Sequence, residues 1–130
     1  MNAARGSILV VDDEESLRRL VVRKLEKAGF QTVAVTNGCE ALEAVRQCTF
    51  DLMLLDVMMP GMSGMDVLEI VSAEQPGLVV IMLTAMCDEK TVSKAFNLGA
   101  HDFIPKPFSL AELVDEVGAV IEAQGDGTYG

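Results

Sequence analysis

Several things are scarce in this chain, and each scarcity closes off a class of explanation. The longest uninterrupted apolar run, Leu78 to Leu83, is far shorter than the ~20 residues needed to cross a bilayer, so no transmembrane helix is expected. Cysteine is rare and odd in number. Cys39, Cys48 and Cys87 form no C-x-x-C pair, which excludes a disulfide framework or a cysteine zinc site and leaves ordinary reduced thiols. Basic residues are half as many as acidic ones, 10 against 20, for a net charge of -10. The Lys and Arg present lie mostly on two helices and make no single basic patch, which argues against direct nucleic-acid binding and favours cationic partners, Mg²⁺ among them. The one histidine, His101, stands alone and is assigned no acid or base role. Met1 to Ser7 carry one Arg and no hydrophobic signal region, so a cytoplasmic location is expected. There is no internal repeat.

What is present is an alternation of short apolar runs and helical stripes. At 130 residues, half of them apolar, the chain fits one domain that removes roughly two-thirds of its unfolded surface from water. Ser7 to Val11 reads as a first strand ending on Asp12-Asp13. A helix follows from Glu14, with Leu17, Leu20, Val21, Leu25 and Ala28 inward, Arg18, Arg19, Arg23, Lys24 and Lys27 off the stripe, and Gly29 as its stop. Gln31 to Val35 is a second strand, and Asn37-Gly38 turns into a helix burying Ala41, Leu42 and Val45. Leu52 to Leu55 is a doubly buried strand closed by Asp56 and a Pro60-Gly61 turn.

Ser63 then caps a helix with Asp66 as the reciprocal partner, and Val67, Leu68 and Val71 face inward. Leu78 to Leu83 is a fourth strand ending on Thr84-Ala85, Asp88 to Leu98 a helix closed by Gly99, and His101 to Ile104 a short fifth strand before Pro105-Lys106-Pro107. Ser109 and Glu112 form the capping box of a last helix that buries Leu113, Val114, Val117, Val120 and Ile121. Strands alternating with helices through short connections, three of the strands too apolar to face water, predict a doubly wound α/β fold with a parallel sheet. The domain spans residues 7–123, and 124–130 reads as a polar, Gly-rich tail or the start of a linker.

In such a sheet ligands bind beyond the carboxyl ends of the strands. The ends deliver Asp12 with Asp13, then Asp56, Thr84 and Lys106. Three acids brought together resist full ionisation without a cation, and an all-oxygen set favours Mg²⁺, with the Met58 backbone carbonyl as a further ligand. A carboxylate beside Mg²⁺, a lysine and a hydroxyl has what is needed to accept a phosphoryl group. Asp56, the lone acid at its strand end, is the candidate nucleophile, and Asp12 and Asp13 are placed to hold metal.

Val10-Val11-Asp12-Asp13-Glu14, Leu54-Leu55-Asp56-Val57-Met58-Met59-Pro60-Gly61-Met62-Ser63-Gly64, Leu83-Thr84-Ala85 and Lys106-Pro107-Phe108 together resemble the receiver domain of two-component response regulators. The resemblance covers Ser7 to about Ala123. It implies a flavodoxin-like three-layer sandwich with strand order 2-1-3-4-5. It further implies a phosphoryl group passed from a phosphohistidine to Asp56, and Mg²⁺ held by Asp12, Asp13, Asp56 and the Met58 carbonyl, the first two directly or through water. Thr84 is implied to bond the phosphoryl group and Lys106 to pair with it, with a cis Lys106-Pro107 peptide and Phe103 as an aromatic switch residue that follows Thr84. Phe lacks the hydroxyl of the Tyr found in some relatives, so no readout through a ring hydroxyl is expected.

The implied partners are a sensor histidine kinase or phosphotransfer domain, docking near Leu17, Leu20 and Pro105, and an output domain or partner protein; no membrane or direct nucleic-acid contact is expected. The implied role is regulatory, limited to Mg²⁺-dependent self-phosphorylation and slow self-dephosphorylation. Met58 and Met86, beside the site, are expected to screen the acyl phosphate from water. An aspartate-nucleophile phosphatase is the rival enzyme, but it wants an acid two residues after the nucleophile, where this chain has Met58. A phosphorylation-independent module of the same fold is the other rival. The last helix is acidic at Glu112, Asp115, Glu116 and Glu122 and has no Lys or Arg, so a monomer or a weak phosphorylation-dependent dimer is expected. A free-standing domain and the front of a longer regulator both fit.

Overall fold

Each apolar run read from the sequence is a strand, and all five strands lie parallel in one sheet. In the computed structural model, which describes residues 5–126, the elements are β1 (Ser7–Val11), α1 (Glu15–Lys27), β2 (Gln31–Val35), α2 (Gly38–Gln47), β3 (Leu52–Asp56), α3 (Gly64–Glu74), β4 (Val79–Thr84), α4 (Glu89–Leu98), β5 (Asp102–Pro105) and α5 (Leu110–Asp126). The sheet order is β2-β1-β3-β4-β5, as the family resemblance implies. No helix among the described residues is long and apolar enough to cross a membrane.

Period-two alternation sorts the strand residues between two cores. Leu9, Val11, Met53, Leu55, Val80 and Met82 pack with Leu42 and Val45 of α2, Val67, Leu68 and Val71 of α3, and Ala95 of α4. Ile8, Val10, Leu52, Leu54, Ile81 and Leu83 pack on the other side with Val21 and Leu25 of α1 and Leu113 and Val117 of α5. The central strands β3 and β4 are buried throughout, and β2 and β5 form the partly exposed edges. The expected three-layer sandwich is therefore present.

Three local readings differ from the structure. Leu20, expected on the inner stripe of α1, is exposed. It lies about 100° around the helix from Val21, on the side away from Leu25, whereas Val22, about 100° from Val21 on the other side, packs partly against the core. At the start of α5, Ser109 Oγ accepts the Glu112 amide at 3.3 Å, yet no return bond from the Glu112 carboxylate is formed among the described residues, leaving half of the capping box. The helix itself continues past residue 123 to Asp126, because a glycine near a helix end costs only about 1 kcal/mol and no proline follows. Residues 127–130 of the expected tail lie outside the described residues.

An acid pair joins the edge strand to the last helix. The neighbouring Asp102 of β5, able to share a proton with Glu116 of α5, pushes the Glu116 carboxyl up to about 7, with burial and the like charge of Asp102 adding to the shift. The folded-state value lies above the ordinary 4.5, so the pair favours folding at low pH and that contribution fades as pH rises through the interval between them. Glu116→Gln is expected to flatten the decline by about 1 kcal/mol, a small effect because solvent screens the pair. Urea midpoints of both proteins at about pH 5 and about pH 8, bracketing this titration, check it; parallel pH profiles would discard the pair as a contributor.

Candidate functional site

Because the strands are parallel and β1, β3, β4 and β5 are adjacent, their carboxyl ends form a row. Asp12 follows β1, Asp56 ends β3, Thr84 ends β4, and Lys106 follows β5. The first three are buried polar residues at 2%, 4% and 1% exposure, in a core otherwise apolar. Asp13 is exposed at the rim. Asp12, Asp13 and Asp56 each offer a carboxylate oxygen within 4.8 Å of the others. Lys106 Nζ donates to Asp12 Oδ2 at 3.1 Å and to Asp56 Oδ2 at 3.2 Å, and the Lys106-Pro107 peptide is cis.

The same local device fixes three of these groups. Asp12 Oδ1 accepts the Glu14 amide at 2.9 Å, Asp56 Oδ1 accepts the Met58 amide at 3.1 Å, and Thr84 Oγ1 accepts the Met86 amide at 3.0 Å. Short Asp and Thr side chains reach the backbone two residues on and so turn the chain as the strand ends. The residue types that suit the chemistry also suit the turns. Each carboxylate keeps lone pairs beyond these bonds, and the donor set is all oxygen, so the residues present fit a hard dication such as Mg²⁺.

Burial raises the Asp56 carboxyl above its ordinary range, opposed by the Lys106 charge and the Met58 amide and reinforced by the charge on Asp12. Burial works to lower the Lys106 ammonium, but the Asp56 and Asp12 carboxylates outweigh it and hold the group above its ordinary value. Lys106 therefore stays charged, and its charge is the largest influence opposing the rise at Asp56.

The sequence reading did not single out two supports. Arg18 Nη1 donates to the Asp12 carbonyl at 2.9 Å, tying α1 to the β1 loop; nothing in the sequence marks it apart from the other basic residues of that helix. Gly64 opens α3 directly against the site, where its amide donates to the Val57 carbonyl at 2.9 Å. A Cβ at Gly64 would overlap the Asp56 carbonyl oxygen and stand 2.7 Å from the Val57 Cα. A glycine just after the capping residue Ser63 was the available signal.

Phe103 pairs in register with Met82, two residues before the Thr84–Pro105 pair, so its side chain shares a sheet face with that of Thr84. It is half-buried against the core of α2, α3 and α4. Met58 and Met86 flank the row at 59% and 41% exposure. Beside Lys106 runs a mostly apolar groove of about 290 Å³, lined by Glu14, Leu17, Ala85, Lys106, Pro107 and Phe108.

Comparison with known proteins assigns this arrangement to a class. The family model of the response regulator receiver domain matches residues 8–118. The chain belongs to that family. It is 42% identical over 126 residues to the DNA-binding response regulator MtrA of Mycobacterium tuberculosis, covering 97% of this chain and 55% of that protein. To the DNA-binding transcriptional regulator NtrC of Escherichia coli it is 41% identical over 110 residues, 85% of this chain and 24% of that protein. The solved receiver domain of the Francisella response regulator 1452 superposes with a TM-score of 0.87 at 28% identity, covering 92% of this chain and 98% of that one. The chain thus spans about half the length of the MtrA proteins it matches. It is a receiver domain of two-component signalling.

Proposed function

We propose that Asp56 is the phosphoacceptor, taking a phosphoryl group from a phosphohistidine of a sensor histidine kinase or phosphotransfer domain. The observation that carries this reading is a buried carboxylate at the end of β3, bridged to a second buried acid by one ammonium. In the transfer a carboxylate oxygen of Asp56 forms the new O–P bond as the donor's P–N bond breaks, and the donor imidazole leaves with its electron pair. Lys106 neutralises the phosphoryl oxygens, and its charge keeps Asp56 ionised until attack. Asp12, Asp13, Asp56 and the Met58 carbonyl hold Mg²⁺, which when bound supplies further charge neutralisation. The apolar groove beside Lys106 is where the donor domain seats.

Thr84 turns toward the phosphoryl group, and Phe103, on the same sheet face, follows into the space it leaves, altering the surface around α4 and β5. That surface reports to an output domain or partner protein, the chain acting in the cytoplasm as monomer or weak phosphorylation-dependent dimer. Its own chemistry is limited to self-phosphorylation from small donors and slow hydrolysis. Incubation with acetyl phosphate and Mg²⁺ is expected to add one phosphoryl group by intact mass. EDTA and, separately, Asp56→Asn are expected to abolish the addition. A mass that never changes favours a phosphorylation-independent module instead.

Met58 and Met86 keep water from the acyl phosphate. Changing both to Asn is expected to shorten its half-life about tenfold, equivalent to ~1.4 kcal/mol of barrier, measured as loss of phosphoryl mass after donor removal. An unaltered half-life would leave the screening role without support.

A further inference from the structure

Methionine is unevenly placed in this molecule. Met53 and Met82 are fully buried, Met59 and Met65 nearly so, and Met62 packs partly against the same core. Among the described residues only Met58 and Met86 are methionines exposed to solvent. Both are anchored to reacting groups through their own backbones, Met58 by its amide to Asp56 Oδ1 and Met86 by its amide to Thr84 Oγ1. An apolar screen needs no sulfur there, and a leucine would exclude water as well. A thioether adds reactivity.

We propose that Met58 and Met86 form a paired oxidation site through which hydroperoxides shorten the life of the phosphoryl group. The inference rests on Asp56 being the phosphoacceptor. In the step, a sulfur lone pair takes the terminal oxygen of the hydroperoxide, the O–O bond breaks, and the remaining oxygen takes up the proton and leaves as water from hydrogen peroxide or as the alcohol from an organic hydroperoxide; sulfur is oxidised and the peroxide reduced. The product sulfoxide is polar and a strong hydrogen-bond acceptor where the thioether was apolar. Held beside Asp56 and Thr84, it orders water next to the acyl phosphate that the thioether kept dry. Exposure sets the selectivity, since the buried methionines offer peroxide no path. Sulfoxide reduction reverses the change without new synthesis of the chain.

The full chain treated with hydrogen peroxide is expected to gain one oxygen at Met58 and one at Met86 well before Met53 or Met82, read by peptide mass mapping. After loading with acetyl phosphate and Mg²⁺, the oxidised protein is expected to lose its phosphoryl group about threefold faster or more, and methionine sulfoxide reductase treatment to restore the original half-life. The Met58→Leu/Met86→Leu double variant, which keeps Cys39, Cys48 and Cys87, is expected to show one half-life with and without peroxide. If peroxide shortens the variant's half-life as much, the exposed cysteines are responsible and the proposal is overturned. Equal oxidation of buried and exposed methionines, or an oxidised chain with an unchanged half-life, overturns it too. An untreated chain that takes up no phosphoryl group defeats the Asp56 reading and this one together, whereas a chain that loads normally and ignores oxidation defeats only the switch.

Discussion

Gly64→Ala is expected to cost about 3 kcal/mol or more of stability, the upper end for overpacking, and to slow phosphorylation of the chain that still folds. The added methyl meets the Asp56 carbonyl and the Val57 Cα, and neither can swing aside as the tip of a long side chain would. Relief requires α3 to move away from β3 or the β3 end to shift. The first movement strips Val67 and Leu68 from their core, and the second moves Asp56 itself off the line shared with Lys106. Urea denaturation and the rate of acetyl phosphate labelling measure the two parts. A variant within ~0.5 kcal/mol of the parent, the usual range for inconsequential substitutions, would mean that the contact relaxes freely.

Asp56→Asn is expected to do the opposite. Without Mg²⁺ it stabilises the fold at neutral pH by about 1–2 kcal/mol, in the ordinary range for a substitution acting on a buried charge. Burial, the largest influence, raises the folded-state carboxyl above its ordinary 3.8 despite Lys106. A raised acid means that the folded state binds the proton better than the unfolded one, so ionisation at neutral pH costs stability. As pH falls through the folded-state value the parent takes up its proton and recovers that loss, while the variant has nothing to titrate. The gap between them therefore closes on acidification. Mg²⁺ is expected to stabilise the parent more than the variant, since one of its carboxylates is gone. Denaturation in EDTA and in Mg²⁺ over a pH series running from about 7.5 down to the ordinary carboxylate range at about 4 reads all of this. A variant less stable than the parent in EDTA at neutral pH would show that the Lys106 bond outweighs burial.

What was legible in the sequence was what a single segment decides. Leu52 to Leu55 and Leu78 to Leu83 are apolar at every position, and runs this short between turn residues suit a strand covered on both faces, so the sheet followed. Ser63 and Asp66 announce a helix start by themselves, and both reciprocal bonds are made. The strand-end residues were legible for the same reason, each standing where an apolar run stops. What escaped depends on neighbours from elsewhere in the chain. Leu20 fits the stripe of its helix, but the way α1 packs on the sheet covers the Val22 side and leaves the Leu20 side open. Asp102 and Glu116 come from two different elements, β5 and α5, and influence each other only in the folded chain, and the role of Gly64 arises from the closeness of α3 to β3. Arg18 is one of several similar charges until the β1 loop is placed beside it.

Lys106 is bonded to residues 94 and 50 positions earlier in the chain, and its own amide donates to the Thr84 carbonyl at 2.8 Å. One residue from the margin of the sheet thus acts as a tie-rod across three other strand termini. Its ammonium and its amide thereby couple the ends of β1, β3 and β4 through a single side chain and a single peptide.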